Sequence, residues 1–175
     1  MSNINIKLKE LTETVAKSYS VLHADYPKPD QAALDFQPGD VHAVLAFLKG
    51  LGFRQLSMLS CVDWIKDGQF QLVYLLFNWE AGLRLQVRTR IDRAHPVFTT
   101  ITGIYPGAKY YERDVHEFFG VEFNGNPDSF KPLFLENWDD MPPMRKDFDP
   151  QAYSDRKYQA REYKTDFNTK AGEGQ

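Results

Sequence analysis

One cysteine, no long apolar run and no excess of positive charge: each shortage removes a class of function. The lone thiol, Cys61, cannot form a disulfide within the chain, and it leaves too few thiolates for an iron–sulfur cluster or a structural zinc site. Lys and Arg total 21 against 24 Asp and Glu, a formal net charge of −3, so the clustered basic excess of a nucleic-acid binder is missing. No apolar stretch reaches the ~18 to 20 residues that span a bilayer. The opening MSNINIKLKE also lacks the hydrophobic segment of a signal peptide. The expectation is a soluble, cytoplasmic chain that reaches a membrane only through partner chains. The glycine-rich stretches Gly50 to Gly52 and Gly120 to Gly125 match neither a phosphate loop nor a dinucleotide fingerprint. A length of 175 residues allows one core and an appendage, but not two catalytic domains.

What is present reads first as an α+β domain over residues 1–122. Ile4, Leu8, Leu11 and Val15 recur at helical spacing among charged residues and predict an amphipathic helix. Short strands are expected at Ser20 to Ala24 and Ala33 to Phe36, with Tyr26-Pro27-Lys28-Pro29-Asp30 as the turn between them. Asp40 is placed to cap a second helix with an apolar face of Val41, Val44, Leu45 and Leu48, and Gly50 and Gly52 fit its left-handed exit. The period then changes to that of strands at Ser57 to Ile65, Phe70 to Phe77 and Leu83 to Thr89, with connections short enough for an antiparallel meander. In the last of these, Leu83, Leu85, Val87 and Thr89 alternate with Arg84, Gln86, Arg88 and Arg90. That arginine row is either a solvated sheet face or a docking surface for an acidic partner. The whole predicts a mainly antiparallel sheet with helices on one side.

A third helix follows Pro106-Gly107 and stops at Gly120, with Tyr111, Val115, Phe118 and Phe119 as its apolar face and Glu112, Arg113, Asp114, His116 and Glu117 on the other. Periodicity ends after Phe123. Pro127, Pro132, Pro142, Pro143 and Pro150 exclude a long helix or a central strand. Residues 123–153 nevertheless hold Phe130, Leu133, Phe134, Leu135, Trp138, Met141, Met144 and Phe148, too many large apolar side chains for an idle linker. Burying eight such side chains gives on the order of 12 to 24 kcal/mol, against roughly 25 to 50 kcal/mol to order some 25 backbone residues. The segment should therefore be an extended arm that needs a surface, its own sheet domain or another polypeptide. Residues 154–175 are polar and are expected to be a loose tail.

As for chemistry, Glu112 and His116 sit at i and i+4, a spacing that can present two ligands to one metal, but no second ligand pair appears. A stand-alone metal enzyme built on that pair is the competing class. Cys61 lies in an apolar strand, where a buried inert thiol is the usual outcome.

Several spaced motifs then agree in order over roughly residues 40 to 150: LSCVDW, GIYPGAKYYERDVHEFFGVEF, GNPD, LENW and PPMRKDF. This run resembles the 30 kDa subunit family of the proton-pumping NADH:quinone oxidoreductase, respiratory complex I, together with its homologues in membrane-bound [NiFe] hydrogenases. The resemblance implies a chain with no cofactor and no active site of its own, in the hydrophilic arm of the complex on the cytoplasmic side of the membrane. It would clamp the large quinone-site (49 kDa-type) subunit, or the hydrogenase large subunit. Iron–sulfur clusters and FMN, or nickel and iron in the hydrogenase case, would lie on partner subunits. Glu112, Arg113 and Asp114 match the family's signature. Arg145, Lys146 and Asp147 are the expected interface residues, and Phe134 and Trp138 the expected anchors. Many respiratory members carry Trp where this chain has Tyr105, His where it has Asn126, and His-Pro-Leu where it has Pro142-Pro143-Met144. The Asn126-Pro127-Asp128 and Pro142-Pro143 forms of this chain resemble the homologues in energy-converting [NiFe] hydrogenases more closely.

Overall fold

Apolar residues at helical spacing set the first element, α1 (Asn3–Ser18), on which Leu8 and Val15 are fully buried. The computed structural model describes residues 3–158, with side chains from Lys7 onward. The side chain of Ile4, which the sequence assigns to a helix face, and residues 159–175 of the expected loose tail lie outside that description. After α1 the chain forms β1 (His23–Lys28) and β2 (Gln31–Phe36), then α2 (Val41–Gly50), β3 (Gln55–Trp64), β4 (Gln69–Asn78) and β5 (Leu83–Asp92). Short strands β6 (Val97–Thr99) and β7 (Glu122–Asn124) flank α3 (Ala108–Phe119), and α4 (Pro150–Lys157) is the last element.

The five long strands form a mixed, mainly antiparallel sheet in the order β1-β2-β5-β4-β3. The expected β3-β4-β5 meander is present and antiparallel throughout. The pairing of β2 with β5 is parallel, Gln31 opposite Arg84 through Phe36 opposite Thr89, with α2, β3 and β4 lying between them in sequence. β6 and β7 pair in parallel as a separate ladder bridged by α3, so Phe123 is buried within the body of the domain.

Three local expectations need correction. β1 starts at His23 and runs through Tyr26, Pro27 and Lys28, which the sequence suggests as a turn. Pro27 is accommodated because β1 is an edge strand and its register shifts between Asp25 and Lys28. Asp40 stands at the start of α2 in helical backbone and makes no capping bond, since a 3-10 turn over Pro38–Asp40 already leads the chain into the helix. At the exit, Gly52 (φ +97) is left-handed and Gly50 is still helical.

Val41, Val44, Leu45 and Leu48 of α2, Ala108, Val115 and Phe119 of α3, and the inward residues of β4 and β5 share one core. Tyr74, Phe36, Phe53 and Phe70 are its largest fully buried side chains. Two tyrosines tie the layers. Tyr105 donates to the Phe53 carbonyl (2.7 Å), and Tyr111 donates to the Ser57 carbonyl (2.8 Å) on β3.

Candidate functional site

The charged residues of α3 do not share one solvated face. Ala108, Glu112, Val115 and Phe119 follow one another at spacings of four, three and four, and all four are buried. Glu112 thus occupies a core position, fully shielded from solvent. Its carboxylate accepts from the Thr100 hydroxyl (2.6 Å), the Ile101 amide (2.8 Å) and the Asn126 side-chain amide (2.9 Å). A carboxylate taken out of water survives there because donors replace its hydration. It joins α3 to the loop after β6 and to the chain leaving β7.

The neighbouring residues hold the segment that follows. Arg113 donates from Nε to the Lys131 carbonyl (3.0 Å) and from its terminal nitrogen to the Pro132 carbonyl (2.5 Å). Glu117, one turn further on, accepts from the amides of Leu133 (3.1 Å), Phe134 (3.0 Å) and Leu135 (2.6 Å). These are three consecutive backbone donors that a proline-rich stretch cannot satisfy by forming a helix or sheet. Asp128 is gripped by Lys131 (2.5 Å) and Lys109 (2.9 Å), which lower its carboxyl to about 2. Asp114 goes the other way, raised by burial and then by the charge of Glu117.

A second anchor lies at the far end of β3. Asp63, nearly inaccessible, accepts from Arg93 Nε (2.8 Å) and its terminal nitrogen (3.0 Å), and from the Lys146 amide (2.8 Å). The same Arg93 donates to Asp147 (2.6 Å), and both Arg93 and Arg145 lie over the Phe70 ring at 5.5 and 5.4 Å. Nearby, the Met144 amide donates to the Phe118 carbonyl (3.0 Å). Gly120 (φ +81) ends α3, and a Cβ there would stand 3.2 Å from Pro142, so this glycine serves both the turn and the close approach of the strap. PPMRKDF is thereby fastened to LSCVDW.

Electrostatics at this anchor predict a pH response. Burial opposes ionisation of Asp63, but the bonds from Arg93 and Lys146 outweigh it and lower its pKa; Asp147 is lowered chiefly by Arg93. Groups whose folded pKa is depressed stabilise the fold above their unfolded pKa and lose that contribution as pH falls through the folded value. Acidification below about pH 4 should therefore release the strap before the domain unfolds. Tryptophan fluorescence, followed together with the buried-tyrosine near-UV signal, checks this; coincident loss of both would contradict it.

The third cluster belongs to the strap itself. Trp138 stacks on Tyr153 (4.4 Å between centroids) beside Phe148 (5.5 Å), and its indole donates to the Met141 carbonyl (2.9 Å). Tyr153 is carried by α4, which forms because Pro150 takes the first helical position while Asp149 caps the Gln151 and Ala152 amides. This helix runs across the 153/154 position where composition divides arm from tail. Arg156 and Lys157 bond Asp140 and Asp139 back across the loop. Phe134 is only partly engaged: its ring lies 6.2 Å from Phe118, and it remains 66% exposed.

Of the residues named from sequence, Glu112 bonds Asn126 and Arg113 bonds the Lys131 carbonyl; at the second anchor the Lys146 amide bonds Asp63, Asp147 bonds Arg93, and Arg145 lies over Phe70. Phe134 joins the first anchor through its amide, bonded to Glu117, while Trp138 stands apart from both. Asp63, Arg93 and Glu117 are not among those named residues, yet each bonds the segment after β7: Asp63 through the Lys146 amide, Arg93 through Asp147, and Glu117 through the amides of Leu133, Phe134 and Leu135. Glu112 and His116 do not converge on a common ligand. The Glu112 oxygens are taken as described, while His116 Nδ1 bonds the Val121 carbonyl (2.9 Å) and its ring abuts Phe130. Among the described residues no group of three or more His, Cys, Asp or Glu is placed to hold a metal ion. Cys61 is buried beside Asp63, and burial first, then that charge, push its thiol up to about 12, far from a reactive thiolate.

Helices on a mixed sheet, with a proline-rich strap held by the carboxylates of Glu112, Glu117 and Asp63, define a small α+β domain. The chain belongs to the family of the 30 kDa subunit of the respiratory-chain NADH dehydrogenase, whose model matches residues 34–154. Over 133 residues it is 35% identical to the mitochondrial NADH-ubiquinone oxidoreductase 30.4 kDa subunit of Neurospora crassa, a match covering 74% of this chain and 46% of that protein. Over 115 residues it is 32% identical to a NADH-quinone oxidoreductase subunit of Roseiflexus sp., covering 63% and 66% respectively. The chain thus spans about half to two-thirds of the length of these relatives. Among solved structures, a chain of the membrane-bound sulfane sulfur reductase, an archaeal respiratory membrane complex, superposes with a TM-score of 0.80 at 33% identity, covering 90% of this chain and 97% of that one. The trypsin-resistant fragment (1-134) of Nqo5 gives a TM-score of 0.59 at 25% identity, covering 71% and 98%.

Proposed function

We propose that this chain is a non-catalytic subunit in the hydrophilic arm of a membrane-bound, ion-pumping NADH:quinone oxidoreductase. It clamps the large quinone-site subunit, so that electrons passing through clusters on neighbouring chains reach their acceptor in a fixed geometry. FMN and iron–sulfur clusters belong to those neighbours. In this reading attachment at the cytoplasmic side of the membrane runs through partner subunits; among the described residues no helix is long and apolar enough to cross a membrane. One observation carries this reading: the strap is held to the domain by polar anchors while large apolar residues along it, Phe130, Phe134 and Met144, stand 58 to 66% exposed. A monomer has no use for such a stripe, whereas an interface does.

A second reading keeps the role and changes the parent complex. The archaeal chain superposes with a TM-score of 0.80 at 33% identity, against 0.59 at 25% for the Nqo5 fragment. That favours a complex with an acceptor other than quinone, of which an energy-converting [NiFe] hydrogenase is the case suggested by the Pro142-Pro143 form.

Phe134→Ala tests the clamp without disturbing the fold, because the ring is already exposed. Loss of an aromatic anchor of about 2 kcal/mol would weaken association roughly 30-fold. The assembled fraction in native gels should fall while the melting temperature of the isolated chain stays put. Trp138→Ala should reduce assembly too and leave the 3–124 domain folded; normal assembly and activity in both variants would overturn the reading.

A further inference from the structure

The face of the sheet away from the core is not the polar surface that an antiparallel sheet usually turns to water. Its register sets Leu75 between Met58 and Gln86, and Phe77 between Gln55 and Arg84. Trp79, 72% exposed, packs edge-on against Phe77 at 4.3 Å and donates from its indole to Gln55. Between them lies a groove of about 340 Å³ lined by Leu75, Phe77, Trp79 and Arg84.

The charges beside it are not equivalent. Arg88 is paired with Asp35 (2.6 Å) and Arg90 with Asp67 (3.0 Å). Among the described residues no carboxylate pairs with Arg84, whose guanidinium lies 5.8 Å from the centre of the Phe77 ring. An unpaired guanidinium laid over an aromatic wall, next to an apolar groove, fits a carboxylate presented beside an apolar side chain.

We propose that this groove docks a segment of another subunit that places an Asp or Glu against Arg84 and an apolar side chain against Phe77 and Trp79. The inference rests on the subunit reading and adds a contact surface separate from the strap. A second copy of this chain would set one arginine row against another across a two-fold axis. A lipid surface would meet the carboxylates of Asp25, Asp35 and Asp92 on the same sheet and of Asp67 on the turn between β3 and β4. Either would have to face these carboxylates as well as Arg84, whereas an acidic segment seated in the groove need meet Arg84 alone.

The test uses the native complex carrying Met58→p-benzoylphenylalanine, with Phe134→p-benzoylphenylalanine as the parallel position on the strap. Irradiation should link position 58 to one peptide of another subunit with an acidic residue next to the attachment point. Arg84→Glu should lower that yield about tenfold, and reversing the partner's carboxylate to Lys should restore it. Because Met58 and Arg84 are exposed, the isolated variants should melt like the parent chain. A crosslink only to lipid or to a second copy, or a yield indifferent to Arg84→Glu, overturns the proposal. Crosslinking at 134 with none at 58 overturns it while the subunit reading stands; no crosslink at either position overturns both.

Discussion

Asp63→Ala is expected to cost about 3 to 5 kcal/mol of stability and to free the 142–148 stretch from the sheet. The carboxylate is nearly inaccessible and holds three bonds, two from Arg93 and one from the Lys146 amide. Removing it leaves Arg93, itself mostly covered, with Asp147 as its remaining partner and the Lys146 amide with none. For a chain of this size, that cost lowers the melting temperature by about 6 to 20 °C. The strap should also become cleavable by trypsin after Arg145 and Lys146 under conditions where the parent chain resists. Asp63→Asn keeps the shape without the charge and should fall between the two. Unchanged melting together with an uncut strap would show that the anchor does not hold the segment.

Glu112→Ala should be comparably damaging, for a different reason. It strands the buried Ile101 amide and leaves the Thr100 hydroxyl with only Thr102 and the Asn126 side-chain amide with only a long bond to the Lys109 carbonyl, and buried donors left without an acceptor cost about 1 to 3 kcal/mol each. Partial relaxation brings the expected loss to about 3 kcal/mol or more. The defect should appear in denaturant unfolding of the isolated chain, because the carboxylate touches no solvent through which a partner could reach it. Glu112→Gln, which turns one acceptor oxygen into a donor, should cost less than Ala and more than a surface change. If instead Glu112→Ala unfolds like the parent and fails only in assembly, Glu112 is an interface residue and not a buried tie.

These two carboxylates also show what the sequence discloses and what it does not. The helices and the meander are legible because burial follows period: Val41, Val44, Leu45 and Leu48 on α2, and Leu83, Leu85 and Val87 on β5, are all buried. The signal for Glu112 is present too, since it completes the Ala108, Val115, Phe119 stripe, but a charged residue on an apolar stripe reads more readily as part of the polar face. Asp63 is similar, following Leu59 and Cys61 on the inward side of β3. An acidic residue at an inward strand position announces a buried partner, and only the fold shows that the partner is Arg93, thirty residues on.

Other features have no local signal. The parallel pairing of β2 with β5 depends on bringing together segments separated by α2, β3 and β4. The grip of Glu117 on the Leu133, Phe134 and Leu135 amides depends on where a non-periodic segment comes to rest. Five prolines in the strap correctly exclude a long helix, yet Pro150 at a first helical position helps start α4.

The claim that this domain and its strap serve a redox assembly is tested most directly by purifying the tagged chain from its native cells in mild detergent, identifying its partners, and assaying flavin, iron, nickel, NADH oxidation and hydrogen evolution. The account predicts stoichiometric recovery of a large subunit and iron–sulfur subunits with flavin and NADH-driven quinone reduction; nickel with hydrogen evolution would select the hydrogenase-type parent. Recovery of the chain alone, with no redox partner, would contradict it.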